Sequence, residues 1–524
     1  MQLADDLDLN LAWIRVKNDL REQIFVKYPY AEELIDYNQK EWLGNLKNLL
    51  TTNQFYPSKC QIVDVPKPGY HIRPGGVLTM EDTVVYSAIL LNILPNISDK
   101  LSWSERNYRF SNIISKRAYD RRWAEFPVTS WKAFYKVALA RAQEYPYAVK
   151  FDLASFFEDI EIKRLIEDLE ELNCDKDSLD FLSECLNQWA GSRRRGIPQG
   201  FLPSNILSEV YLNSIDLALI NANIMYVRYV DDGYLFAKSK EKAIHALRFF
   251  TRKLRGKGLN LQSAKTKIMK QKNAIKDIEE VTRLLQKANK AVIKDAFKTA
   301  GIVWSYLSPA DIGKIYGDQD DPPPIMALRR AFDKEIRQNP ETFNKSLFHY
   351  IISRFAATKD DYAFDFCLDL LGVRPEETVY ILRYLKVFKL DRNKEISNRI
   401  AKELSAADSV KLDFSRFKLI QWLFEEDIVN ENLVFVVREN LKTDDLKEWT
   451  RDYILAYLGK FGNSADLDTL EEQYTRESNP YSKASIICSL RRLPNSRRNE
   501  IYSRALTDHS FVNIAVDWSK SHNS

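Results

Sequence analysis

The sequence has 524 residues, of which 45% are hydrophobic and 12% aromatic, and its formal net charge is +4 because 77 Lys and Arg nearly balance 73 Asp and Glu. A chain of this length and composition is expected to fold into two or more well-packed domains. The small net charge argues against a surface that grips long duplex nucleic acid, so any such contact should be local or short.

The cysteines and histidines argue against two common kinds of site. Five cysteines are scattered without a CxxC pair, and five histidines form neither HxxxH nor HExxH. This distribution disfavours a disulfide framework and a zinc site, and it favours a reducing compartment. The N-terminal stretch MQLADDLDLN is acidic and lacks the apolar segment of a signal peptide, and no apolar run is long enough to span a bilayer. The sequence therefore predicts a cytoplasmic protein with no membrane partner.

From residue 148 the sequence alternates between strand and helix patterns. Short β-rich runs have turn residues at their ends, and the longer segments carry apolar residues at helical spacing. The order of these elements is that of a split βαβ, ferredoxin-like fold. In chain order they are a strand in AVKFDLASFF (148–157), helices over 160–172, up to 190 and over 203–220, a hairpin in RYVDDGYLF (228–236), a helix over 241–255 and a strand over 266–270.

A helix-rich tail follows residue 270. Amphipathic segments recur in it at a spacing of roughly 30 residues, which stacked helix pairs of the HEAT kind would give, although an irregular helical bundle is an alternative. The stretch YGDQDDPPPIM, residues 316–326, is predicted to be a rigid connector. We expect an α+β domain over residues 1–275 and an all-α, HEAT-like helical-repeat domain over residues 276–524.

The hairpin contains more acidic residues than its turn requires. Asp232 and Gly233 form a strong two-residue turn signal, which leaves Asp231 unexplained. Adjacent carboxylates repel one another and lose hydration, so they persist mainly where a cation neutralises them. Asp152, at the end of the first strand, can reach the same tip in a split βαβ sheet. Carboxylate oxygens suit Mg²⁺, with Mn²⁺ as the alternative, and ions held in this way serve nucleotidyl transfer.

Five stretches resemble motifs of reverse transcriptases. Three are similar to palm motifs A, B and C, one to the fingers, and one to motif D. The resemblance covers roughly residues 55–275 and implies a fingers and palm domain. In chain order the stretches are GYHIRPGGVLTMEDTVV (69–85, fingers), FDLASFF (151–157, motif A), GIPQG (196–200, motif B), YVDD (229–232, motif C) and LNLQSAKTKI (259–268, motif D).

The resemblance implies a catalytic role for four residues. Asp152 and Asp231 would be metal ligands, and Asp232 would complete the metal-binding acidic cluster. Lys265 would be a general acid for the pyrophosphate leaving group. The residues alone leave an alternative, because Lys265 lies in a lysine-rich stretch that could be a solvated face.

The resemblance also implies a set of residues that bind the deoxynucleoside triphosphate (dNTP). Arg73 would meet the triphosphate, and Phe157, five residues after Asp152, would block a ribose 2′-OH and so select deoxynucleotides. A surface arginine and a core ring are the alternatives for these two residues. The full expected set is Arg73, Phe157, Gln199, Gly200 and Tyr229.

A reverse-transcriptase core joined to a helical tail is similar to the abortive-infection class of bacterial reverse transcriptases, which act in defence against phage. The resemblance implies a Mg²⁺-dependent DNA polymerase that is primed by a hydroxyl side chain of the protein and copies no template. Its partners would be dNTPs, a single-stranded DNA product attached to the protein, and further copies of the same chain. Two alternatives stay open: a templated enzyme with a dedicated non-coding RNA, like a retron or intron enzyme, and a helical binding scaffold with a vestigial palm.

Overall fold

The computed structural model forms two compact units. The first contains Met1–Val65, Ile72–Ile278 and Glu471–Ser524, and the second contains Pro66–His71 and Glu279–Leu470. The expected connector over 316–326 lies outside the described residues except for its last two. The described residues are 3–22, 24–115, 123–125, 127–280, 283–284, 325–339, 343–405 and 413–522.

The first unit begins with helices and contains most of a two-stranded sheet, whose residues Pro66–His71 are grouped with the second unit. Helix α5 starts where the side chain of Thr79 accepts a hydrogen bond from the Asp82 N–H, and most of its residues are buried. It packs against α2 and is therefore central to this part of the core. The elements are α1 (Leu3–Asp6), α2 (Leu9–Glu22), α3 (Ala31–Tyr37), α4 (Gln39–Thr51), β1 (Gln61–Lys67), β2 (His71–Val77) and α5 (Met80–Leu101).

An antiparallel sheet with flanking helices follows. Its strand order is β4-β5-β3, and β6 and β7 both pair with the other edge of β3. This agrees with the strand and helix order expected from the sequence. The elements are α6 (Pro127–Glu144), β3 (Tyr147–Ala154), α7 (Phe156–Asp159), α8 (Ile162–Glu171), α9 (Lys176–Ala190), α10 (Leu202–Asn221), β4 (Met225–Tyr229), β5 (Asp232–Ala237), α11 (Lys240–Gly256), β6 (Asn260–Leu261), β7 (Lys267–Lys270) and α12 (Gln271–Ile278).

Helices cover both faces of this sheet. On one face Ala148 and Phe236 pack in a cluster with Phe134 of α6 and residues of α12. On the other face the ring of Phe151 lies 4.7 Å from that of Phe250 of α11. Successive residues of a strand point to opposite faces, so β3 contributes to both cores. Its last residues continue beyond the register shared with β7 to the tip of the β4-β5 hairpin.

The turn predicted at Asp232-Gly233 is wrong. Tyr229 pairs with Asp232 across the hairpin, which makes Val230 and Asp231 the turn residues. Val230 has a φ of 57°, in the left-handed region that disfavours β-branched side chains. The acidic pair therefore straddles the end of the turn, and Asp231 lies in the turn itself.

Gly233 is required for a different reason from the one the turn signal gives. It lies inside β5, and a Cβ atom added there would be 2.2 Å from the Val227 carbonyl oxygen and 3.0 Å from the Phe151 ring. Glycine is thus needed because β4 and the Phe151 side chain approach this backbone closely. Sequence patterns report the presence of glycine but do not distinguish a turn from a close approach.

The second unit is helical in its described residues. Helices α14, α16, α18 and α20 pack one on the next, and α17 packs on α19, so alternate helices are neighbours. Across the described ranges after Lys270 no strand is found, and none of the described helices of the protein is long and apolar enough to cross a bilayer. The elements are α13 (Ile325–Phe332), α14 (Lys345–Thr358), α15 (Phe364–Leu370), α16 (Thr378–Leu385), α17 (Asn393–Ser405), α18 (Asp413–Glu425), α19 (Glu431–Glu439), α20 (Glu448–Phe461) and the start of α21 (Ser464–Arg476).

The C-terminal helices belong to the first unit. These are α22 (Pro480–Ser489), α23 (Asn495–Ala505) and α24 (Ser510–Ser521), and α24 packs on α3. The ring of Tyr28 stacks on that of Tyr481 at 5.1 Å, and Tyr30 lies 5.7 Å from Trp518. This division differs from the expected single domain over 276–524. Apolar spacing indicates that a helix has a buried face but not which part of the chain covers it.

Candidate active site

The end of β3 and the tip of the β4-β5 hairpin bring three predicted carboxylates together. Asp152 is the register partner of Asp232, and the Leu153 N–H donates to the Asp231 carbonyl at 2.9 Å. The pKa of Asp232 is raised to about 7, first by burial and then by the charges of Asp231 and Asp152. Three carboxylates that affect one another in this way form one electrostatic cluster.

Lys265 lies in direct contact with this cluster. Its ammonium nitrogen is 2.8 Å from Asp152 Oδ2, although 62% of the lysine side chain is exposed. The loop between β6 and β7 is fixed to the end of β3, because the Gln262 N–H donates to the Asp152 carbonyl at 2.8 Å. The contact brings the Lys265 ammonium group to the edge of the acidic cluster.

A second group of predicted residues joins the fingers to the motif B loop. The Gly76 N–H of β2 donates to the Gln199 carbonyl at 2.8 Å, which holds the strand of Arg73 beside the loop of Gly200. Arg73, Gln199 and Gly200 are each partly exposed. Gln199 Oε1 is buried and has no hydrogen-bond partner among the described residues. Gly200 has a φ of 105°, which only glycine adopts readily.

The side chains of Phe157 and Tyr229 pack against other parts of the protein. Phe157 is buried at 9% exposure, and its carbonyl accepts from the Ile197 N–H at 3.0 Å, which ties motif A to the motif B loop. Tyr229 borders the acidic cluster through its pairing with Asp232, and its ring packs 5.2 Å from Trp131. Burial raises the pKa of Tyr229 to about 12. Both rings therefore contribute to side-chain packing.

Residues 65–284 match the reverse transcriptase (RNA-dependent DNA polymerase) family. The match includes both groups of residues described above. This part of the chain is a reverse transcriptase domain. The protein is accordingly a nucleotidyltransferase of the RNA-directed DNA polymerase family, and its mixed helix and sheet architecture is of the reverse-transcriptase type.

Two other comparisons add little to the reverse transcriptase domain. None of the curated protein sequences matches the chain significantly. Among solved structures, telomerase from Candida albicans in complex with the TWJ fragment of telomeric RNA is similar at 12% identity and a TM-score of 0.32, covering 82% of this chain and 75% of that one. Apo telomerase from Candida tropicalis gives 11% identity and a TM-score of 0.29, covering 84% and 78%. TM-scores this low leave the assignment to rest on the family match.

Reverse transcriptases generally use divalent metal ions, and the donor set of this domain fits one in its chemistry. Three carboxylates supply hard oxygen ligands, and the raised pKa of Asp232 indicates negative charge that a cation would relieve. In this structure Lys265 neutralises part of that charge at Asp152. As the side chains stand, no group of three or more His, Cys, Asp or Glu in the described ranges is arranged to hold an ion. Asp152, Asp231 and Asp232 are the residues that would hold it.

A buried ion-pair network stabilises the β4-β5 hairpin of the reverse transcriptase domain. None of the sequence motifs indicated it. Arg228 is 3% exposed, and its guanidinium contacts Asp216 at 2.7 Å and Glu209 at 2.6 Å. These charges raise the pKa of Arg228 above its usual value, in spite of its burial. An arginine in an otherwise apolar strand, directly before YVDD, was the available signal.

The same network fixes the turn that carries Asp231. The Val230 N–H donates to Ser111 Oγ at 2.7 Å, and Arg228 Nη1 donates to the Val230 carbonyl at 3.1 Å. Ser111 Oγ in turn donates to Glu209 at 2.6 Å. Both polar groups of the left-handed Val230 are thus satisfied, which offsets the cost of its backbone conformation.

Proposed function

We propose that the protein is a Mg²⁺-dependent DNA polymerase that acts in antiphage abortive-infection defence. It makes DNA from dNTPs, starts on a hydroxyl side chain of the protein, and copies no template. The observation that carries the polymerase part of this proposal is the cluster of Asp152, Asp231 and Asp232 with Lys265 in contact. The defence role, the priming and the absence of a template rest on the resemblance to abortive-infection reverse transcriptases.

The residues of the site have separate tasks in this proposal. Asp152, Asp231 and Asp232 would hold the metal, which would supply activation of the attacking hydroxyl and stabilisation of the leaving group in phosphoryl transfer. Lys265, already within hydrogen-bond reach of the cluster, gives a proton to the departing pyrophosphate. The remaining residues of the expected set would bind the incoming nucleotide.

Arg73 would bind triphosphate oxygens through its planar guanidinium. Gln199 and Gly200 would lie along the nucleotide. The buried Gln199 Oε1, for which the described part of the chain supplies no hydrogen-bond donor, is an acceptor suited to a ligand hydroxyl or amine. Tyr229 would border the site, and Phe157 would exclude a 2′-OH and favour deoxynucleotides. These assignments complete the expected nucleotide site.

The helical second unit would provide a surface for self-association. Its alternate helices are neighbours, as in stacked HEAT-like repeats, and such arrays offer broad faces for protein contact. A homo-oligomer and a cytoplasmic site of action are parts of the same proposal.

Incubation of the pure protein with Mg²⁺ and labelled dNTPs, without nucleic acid, tests the priming mode. The proposal expects a covalent DNA–protein adduct that migrates slowly on a denaturing gel and returns to the size of free protein after nuclease treatment. If label enters DNA only when an RNA template and a DNA primer are added, the untemplated part is wrong and the templated reading holds.

A phage challenge separates the enzyme from the scaffold. Cells that express the wild type are compared with cells that express Asp231→Asn and, as a control, Asp180→Asn on the exposed side of α9. We expect protection to be lost with Asp231→Asn and kept with Asp180→Asn. Protection that survives Asp231→Asn at equal protein levels would favour a helical scaffold with a vestigial palm.

A further inference from the structure

An aromatic ring from the N-terminal part of the chain lies between the fingers strand and the motif B loop. A Cβ atom added to Gly75 of β2 would be 2.5 Å from the ring of Phe25, and one added to Gly200 would be 2.6 Å from it. Either substitution would therefore force the ring to move. The two glycines leave the space that Phe25 occupies.

Phe25 is also next to the residue expected to bind the triphosphate. The Arg73 guanidinium carbon lies 5.4 Å from the centre of the Phe25 ring, which is within the range of a cation–π contact. The Phe25 ring thus lies next to two predicted nucleotide contacts, Arg73 and Gly200, and all three residues are partly exposed. No motif of the family match contains Phe25, because the match begins at residue 65.

The segment that carries Phe25 is held on both sides. Val26 is buried at 6% exposure, and the Ile24 N–H donates to the Asp19 carbonyl at 2.9 Å. Tyr28 stacks on Tyr481 of α22, so the C-terminal helices of the first unit help to fix the segment. An aromatic ring held in this way loses little conformational entropy when a ligand packs on it.

We propose that Phe25 is a specificity-determining residue of the polymerase site, and that its ring packs against the base of the incoming deoxynucleoside triphosphate. The inference rests on the proposed function and deepens it. Arg73 binds the triphosphate end, and Phe25 offers the base a π surface that every base can use. A base that is held by a protein ring rather than by a paired base needs no template, and stacking strength then decides which base is preferred. Purines, with the larger rings, are expected to be favoured.

Three substitutions separate stacking from packing. Phe25→Ala removes the ring, Phe25→Leu refills the space between Gly75 and Gly200 without a π surface, and Phe25→Tyr retains a π surface of the same ring size. Phe249→Ala is the matched control, since Phe249 of α11 is also partly exposed and also has a cation, Lys253, at 5.4 Å. Thermal unfolding of each variant reports any loss of packing separately.

We expect Phe25→Ala and Phe25→Leu to raise KM for dATP about 10-fold, the effect of losing one base–aromatic stack, with a smaller change in kcat. The preference for purines should weaken in both, while Phe25→Tyr and Phe249→Ala should resemble the wild type. If Phe25→Leu keeps the wild-type KM and base preference, the ring only packs, and the inference is overturned.

Equilibrium binding of dATP to the full chain in Mg²⁺, measured by calorimetry, keeps the inference separate from the proposed function. Weaker binding by Phe25→Leu than by the wild type and Phe249→Ala supports the inference even if no DNA is made. Equal binding by all of these proteins overturns it even if DNA is made. Failure of the wild type to incorporate dNTPs under any condition counts against the proposed function alone.

Discussion

Replacement of Arg228 by methionine should destabilise the protein strongly, because the guanidinium lies between two buried carboxylates and pairs with both. Its Nε and Nη2 atoms donate to Asp216 at 3.0 and 2.7 Å, and its Nη1 atom donates to Glu209 at 2.6 Å. Asp216 is 2% exposed and Glu209 1% exposed. Methionine fills a similar volume but leaves both carboxylates in a site that water does not reach.

The size of the effect follows from this burial. Breaking a buried ion pair by removing one partner costs about 3–5 kcal/mol, because an uncompensated charge remains. Arg228 serves two carboxylates and also donates to the Val230 carbonyl, so we expect the upper part of that range. Exposed ion pairs are worth about 0–1 kcal/mol. Arg476, 73% exposed and paired with Glu472 in α21, is therefore the matched control.

Urea denaturation of Arg228→Met and Arg476→Met, followed by intrinsic fluorescence, measures both effects. We expect a loss of about 4–5 kcal/mol for the first and less than about 1 kcal/mol for the second. Adding Glu209→Gln and Asp216→Asn to Arg228→Met should restore part of the loss, because the stranded charges are removed. A loss below about 1 kcal/mol for Arg228→Met would refute the reasoning.

Three further predictions concern the sheet and its acidic end. Gly233→Ala should lower the free energy of unfolding by about 1–3 kcal/mol, because the added Cβ atom would clash with the β4 backbone. Gly256→Ala, whose added Cβ atom would have no described atom within 4 Å, should be neutral or stabilising in the same denaturation assay. In protein freed of divalent ions, the free energy of unfolding of the wild type relative to Asp232→Asn should fall by about 3 kcal/mol as pH rises from 4 to 7, because the folded state binds the Asp232 proton more tightly than the unfolded state does. Mg²⁺ should reduce this decline. Lys265→Ala should lower the incorporation rate about 100-fold and Lys267→Ala, exposed nearby, only slightly, and equal rates would remove Lys265 from the mechanism.

Helices of the sheet domain could be predicted from the spacing of their apolar residues. The helix expected over 241–255 is found at Lys240–Gly256, and the one expected over 203–220 at Leu202–Asn221. The placement of Glu471–Ser524 with the N-terminal helices could not be predicted in this way. It depends on contacts such as Tyr28 with Tyr481, which are far apart in sequence and carry no periodic signal.

The candidate site could be predicted in part. Motif order indicated that Asp152 and Asp231 would converge, and strand register brings their backbones together. The ion pairs of Arg228 with Glu209 and Asp216 were not predicted, because an arginine in a strand is expected to face solvent unless its buried partners are known. Phe25 was not predicted for a similar reason. A single phenylalanine in a loop forms no sequence motif, and its position is known only from its contacts with Gly75 and Gly200 in the structure.

The central claim is that the cluster of Asp152, Asp231 and Asp232 is a site of nucleotide transfer. Incorporation of labelled dNTPs into acid-insoluble product in the presence of Mg²⁺ tests it most directly, with the wild type, Asp231→Asn and the exposed control Asp180→Asn compared at equal concentration and equal folded fraction. We predict incorporation by the wild type and Asp180→Asn and background counts for Asp231→Asn. Incorporation by Asp231→Asn at the wild-type rate would contradict the claim.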